Sequence, residues 1–141
     1  MQRILFALSL LSLSALAQAE ILVEDAYVRA PPPGGGAGAA YMTLRNTADA
    51  AVDLTGAQTP AAGKVSLHNT MNHDGMMMMM PTAKFTIPAQ GAFVLQSGAS
   101  HLMLEQLSET LVPGSEITLT LQFGDGSSVS AQLPVRSVLD E

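Results

Sequence analysis

Cysteine is absent from all 141 residues, and that gap closes several chemistries together. The chain has no thiol nucleophile, no disulfide, no iron–sulfur cluster and no thiolate zinc site. Tryptophan is missing as well, and charge is scarce. Charged residues are 13% of the chain, with Lys+Arg 6 against Asp+Glu 12 and a net charge of -6. An acidic chain this poor in lysine and arginine cannot grip a phosphate backbone, so nucleic acid is excluded as a partner. No Ser/His/Asp set and no carboxylate pair has a spacing that supports hydrolysis, so the chain is not expected to be an enzyme. What is abundant is apolar mass, at 48% of residues, and methionine, with nine copies. That is enough hydrophobic material for one packed domain of ordinary size.

Residues 1–19 read as a secretory signal peptide. Arg3 supplies a positive start, Ile4 to Leu13 is almost wholly apolar, and Ala17-Gln18-Ala19 has the small-x-small form of a cleavage site. The apolar stretch is shorter than the roughly 20 residues a membrane helix needs, so no span is expected after cleavage. Without cysteine, a lipid-modified amino terminus is not expected either. Residues 20–141 are read as a single domain sent to the periplasm, monomeric and held together by packing rather than disulfides.

This region reads as β structure throughout. Ile21-Leu22-Val23 runs into Asp25-Ala26-Tyr27-Val28-Arg29 before a Pro/Gly break at residues 31–36. Tyr41 to Asn46, Val65 to His68, Phe85 to Ile87 and Phe93 to Gln96 alternate in turn. The last pair is the clearest, with Ile117, Leu119, Leu121 and Phe123 on one face, a turn at Gly124-Asp125-Gly126, and Val129, Ala131, Leu133 and Val135 continuing with period two. Seven or eight short strands with Gly/Pro punctuation predict an all-β fold, a Greek-key antiparallel β-sandwich. The segment from Leu102 to Leu111 is read as able to hold a helical turn instead.

Imidazole and thioether are the only soft or borderline ligands available. In His101-Leu102-Met103-Leu104, strand alternation sends the leucines to one face and His101 with Met103 to the other. The same alternation places His68 opposite to Val65 and Leu67, and puts Met77 and Met79 on a shared face. These ligands are expected on the exposed outer face. Neutral, soft thioethers beside imidazole select Cu(I) over Zn²⁺, Mg²⁺ or Ca²⁺. A blue-copper electron carrier is excluded, since it requires a thiolate.

The order His68, ten residues, Met79, twenty-one residues, His101, one residue, Met103 resembles the H-x10-M-x21-H-x-M signature of the periplasmic Cu(I) chaperones called PCu(A)C. Asp25 to Arg29, Ala39 to Met42, Leu67 to Thr70, Gly75 to Pro81 and Phe123 to Gly126 sit where that family places similar segments. The resemblance implies a cupredoxin-like fold and a Cu(I) site at His68, Met79, His101 and Met103. It also implies delivery of copper to the binuclear centre of cytochrome c oxidase. The partner would be the oxidase copper subunit or a Sco-type thiol protein. Two departures stand out: Tyr27 occupies a position where the family often has tryptophan, and the methionines form an unbroken run from Met76 to Met80. Met77, on the same strand face, is therefore a substitute for Met79. Met76, Met78 and Met80 are read as packing residues. His73, in Asn72-His73-Asp74-Gly75, is read as a solvated turn histidine or an accessory ligand, and Met71 likewise. Glu105 is read as surface charge. A copper buffer or resistance protein would use the same site, and a structural or adhesive β-sandwich with an incidental Met-rich loop is the reading from another class.

Overall fold

Alternation of apolar and polar side chains organises the described residues into ten strands. They are β1 (Ile21–Arg29), β2 (Gly38–Asn46), β3 (Val52–Gln58), β4 (Ala62–His73), β5 (Met76–Thr82), β6 (Phe85–Ile87), β7 (Ala92–Leu95), β8 (His101–Leu107), β9 (Glu116–Phe123) and β10 (Ser128–Arg136). The computed structural model describes residues 20–32 and 35–140. The leader read over residues 1–19 lies outside the described residues. Among these, only a 3-10 turn at Val138–Asp140 is helical, and no helix is long and apolar enough to cross a membrane.

Ten strands exceed the seven or eight expected. β3 carries little alternation past Leu54, because Gly56 and Ala57 follow, and its pairing with β9 and β6 defines it instead. The helical turn allowed within Leu102 to Leu111 does not form. Leu102 and Leu104 are fully buried, and period two, not 3.6, takes both into the core from β8.

Hydrogen-bonded neighbours run β5-β4-β8-β2-β1-β10-β9-β3-β6, and β7 also pairs with β2. β2 divides one edge between two partners, giving Gly38 to Ala40 to β8 and Met42 to Arg45 to β7. All pairings are antiparallel except β1 with β10, where Val28 and Arg29 align with Val135 and Arg136. The path folds over on itself, bringing β3 against β4 and β6 against β7 and β2. The layers enclose a core in which Val28, Leu44, Leu54, Leu104, Leu119, Leu121 and Leu133 are completely buried. Met42 is also buried, at 2% exposure, and serves as an ordinary core residue.

One irregularity aims side chains at the site described next. Between Glu24 and Tyr27 the register of β1 on β2 shifts, and Asp25 has a φ of 52°. The extra residue is a β-bulge, and it reverses which residues face which way. Ile21 and Val23 point to the core before it, and Val28 does so after it. Tyr27 and Arg29 are thereby turned to the opposite face, opposite Tyr41 and Ala39.

Candidate metal centre

Residues directly opposite each other in an antiparallel pair share a face, so register alone assembles the constellation. β4 pairs with β8 so that His68 lies opposite His101 and Ser66 opposite Met103. β4 pairs with β5 so that Thr70 lies opposite Met79 and Asn72 opposite Met77. Because His68, Thr70 and Asn72 alternate on one side of β4, five side chains meet on one face: His68, Met77, Met79, His101 and Met103. β2 adds Ala39 beside Met103 and, two residues on, Tyr41.

The two imidazoles stack, with ring centroids 5.7 Å apart and planes 17° from parallel. Tyr41 sits 6.4 Å from His101 and 5.3 Å from Tyr27. The guanidinium of Arg29 lies 5.3 Å from the Tyr41 ring, and that of Arg136 lies 4.6 Å from the Tyr27 ring. This cation–aromatic row braces the β1–β2 side of the site.

The histidines are recessed, contrary to the exposed placement expected from alternation. His101 is 6% exposed and His68 is half-buried. The outward face of β8 is covered here by neighbours from distant strands, Tyr41 among them. Met103 is half-buried, while Met77 and Met79 are exposed at 62% and 55%. Met77, Met79, His101 and Met103 line an open concavity of about 480 Å³ together with Arg29, Tyr41 and Thr70. His68 flanks it through the stacked His101 ring. Concavities of about 550 and 720 Å³ elsewhere carry neither imidazole nor thioether.

His101 Nδ1 lies 2.9 Å from the carbonyl of Ala99. A carbonyl can only accept, so Nδ1 carries the proton and Nε2 keeps its lone pair. The Ser66 hydroxyl meets His68 Nε2 at 2.8 Å, and His68 Nδ1 is buried with no hydrogen-bond partner among the described residues. A buried nitrogen left without a partner is costly in an ordinary structure and fits a position that receives a ligand. Burial, and after it the nearby His101, lowers the His68 pKa from the ordinary histidine value. The shift favours the neutral ring, the form that can offer a lone pair to a metal.

Among the described residues no three His, Cys, Asp or Glu side chains come together as a metal site. An ion on this face would depend on thioethers. Glu105 is paired with Lys64 at 3.4 Å. His73 ends β4 on the opposite face from His68, close to Asp74 at 3.6 Å. Arg29, Tyr41 and Ser66 are the neighbours that motif spacing did not single out. Ser66, two residues before His68, was legible as sharing its face. Arg29 and Tyr41 required the bulge and the β1–β2 register.

This is a cupredoxin-like β-sandwich with an imidazole–thioether cluster on one face. Residues 21–135 match the model of the LpqE-like family, described as "Putative lipoprotein LpqE-like", and the chain belongs to that family. It is 35% identical over 117 residues to "Putative lipoprotein Lxx21020" of Leifsonia xyli subsp. xyli, covering 82% of this chain and 69% of that protein. Among solved structures, the Cu(I) form of DR1885 from Deinococcus radiodurans is 37% identical, with a TM-score of 0.63 over 86% of this chain and 83% of that one. The copper-bound PCuAC domain from PmoF2 shares the fold, with a TM-score of 0.70 at 23% identity over 83% of this chain and 92% of that domain.

Proposed function

We propose that this protein is a non-enzymatic Cu(I) carrier of the cell envelope, a periplasmic metallochaperone that holds one ion tightly at His68, Met79, His101 and Met103. The observation that carries the reading is the shared register, which sets His68 opposite His101 and puts Met103, Met77 and Met79 on their face. The relation to DR1885, whose structure is of a Cu(I) form, supports copper as the cargo. The lipoprotein descriptions of the family and of the Leifsonia relative fit export to the envelope.

The layout suits transfer as well as capture. Thioethers at the rim meet an incoming ion first, and recessed imidazoles complete a three- or four-coordinate shell that Cu(I) accepts without strict geometry. Release would run in reverse. An acceptor with thiolates, such as a Sco-type protein or the copper subunit of cytochrome c oxidase, displaces the rim thioethers before the imidazoles. The test is an anaerobic Cu(I) titration followed by mixing with an apo thiol acceptor. One tightly bound Cu(I) that moves to the acceptor is expected. Retention against the acceptor would make the protein a copper buffer, and failure to bind copper would leave only a structural sandwich.

A further inference from the structure

The hairpin that brings Met77 and Met79 to the recess has a second face, and that face is also sulfur. Met71 lies opposite Met78, and His73 lies opposite Met76, on the side of β4 turned away from His68, Thr70 and Asn72. Met71, Met76 and Met78 are exposed at 53%, 69% and 48%, and the His73 side chain at 78%. Among the described residues β5 is the edge strand and pairs with β4 alone, so these side chains have no core to fill there. Unbranched apolar residues on an exposed edge invite edge-to-edge association, and natural edges usually carry charge there instead. Met80, opposite Asn69 on the same side, is exposed as well, so the packing role expected for Met76, Met78 and Met80 is not what the fold gives them.

We propose that this outer face is a second, weaker Cu(I) site, formed by Met71, His73, Met76 and Met78. Cross-strand partners have Cβ atoms about 4.5–5.5 Å apart, and diagonal neighbours about 7–8 Å. Long, flexible thioethers at those spacings converge on one ion, and Met71 with Met78 forms the nearest such pair. His73 or Met76 then supplies the third ligand. The donor set is neutral and soft, as Cu(I) requires, and no carboxylate or thiolate is needed. The acidic chain favours a monovalent cation at its surface over an anion. Binding is weaker than in the recess because exposed methionines must give up rotamer freedom to converge. The inference does not rest on the recess holding copper, since the two faces share strands but no ligand.

The test is an anaerobic titration of the protein with Cu(I), read by methionine methyl and histidine ring NMR shifts, with stoichiometry from chelator competition. The wild type should take up two ions per chain, the second moving the Met71, Met76 and Met78 methyls and the His73 ring. Met71→Leu/Met76→Leu/Met78→Leu changes only exposed side chains and should keep the first ion and lose the second. His101→Ala should lose the tight ion and retain the outer-face response. If the outer methyls stay unmoved through two equivalents, or the triple variant still binds two ions, the second site does not exist. Loss of both responses in His101→Ala would equally overturn it as an independent site. Movement of the outer methyls with a silent recess would uphold this site and refute the chaperone site instead.

Discussion

Ala99 and Ser66 set the two imidazoles in different ways. The Ala99 carbonyl fixes the His101 tautomer, while Ser66 occupies one nitrogen of His68 and leaves the other buried without a partner among the described residues. The consequences separate by residue. We expect His101→Ala or Met103→Ala to weaken tight Cu(I) binding by at least tenfold, while His73→Ala leaves that affinity unchanged because its side chain lies across the sheet. Met79→Ala should lose part of the affinity and Met77→Ala/Met79→Ala most of it; chelator competition measures all five. The pH response follows from His68. Its folded pKa lies below the unfolded value, so the unfolded chain binds more protons in acid. Stability from this group is present above about pH 6.5 and falls as pH drops through the unfolded value toward the folded one. Denaturant midpoints of the apo protein between pH 7.5 and 5 should show that decline, and His68→Gln should flatten it. Copper affinity should weaken from about pH 6 downward as protons compete for the imidazoles, while thioethers remain available. An identical pH profile in His68→Met/His101→Met would mean that the histidines are not ligands.

At the level of the element, the β4–β5 hairpin decides which methionines face the recess. Asp74 and Gly75 both have positive φ, 51° and 82°, as a two-residue type I′ turn requires. The Asn72 side chain accepts a hydrogen bond from the Gly75 amide at 3.1 Å. Gly75→Ala meets no neighbouring atom, so its cost is backbone strain alone, about 1–2 kcal/mol. Because β5 lies on the edge, we expect the hairpin to fray and tight copper affinity to drop while the melting temperature moves little. Much of this hairpin was readable in advance. The Met77/Met79 pairing, the placement of His101 with Met103 and the core leucines all follow from period two. The bulge at Asp25 is only hinted at in the sequence: the adjacent acidic residues Glu24 and Asp25 interrupt the alternation, but such a break does not by itself say that β1 takes in an extra residue. Without it, the roles of Tyr27 and Arg29 are inverted, and so the recess around His101 was mistaken for open surface. Its burial depends on Tyr41, some sixty residues earlier in the chain, which no local pattern reports.

For the whole molecule, the imidazole–thioether face and the core are two sides of the same strands. Leu102, between His101 and Met103, is completely buried. Leu102→Ala should cost about 2–5 kcal/mol of stability through the cavity it opens. In the other direction, an ion that binds only the folded chain stabilises it by mass action, about 4 kcal/mol when free Cu(I) is a thousandfold above its Kd. Anaerobic melts with and without Cu(I) should show that gain in the wild type and its loss in His101→Ala. The five consecutive methionines of β5 carry one more implication. A strand that slips by a single position against its partner exchanges its two faces, which in most sequences would replace a ligand by a non-ligand. Here a slip would set Met78 or Met80 opposite Thr70 in place of Met79, and the recess would still be offered a thioether. The repetition acts as a spare: a β5 that loses its frame, or one sulfur to oxidation, still presents a thioether to the recess.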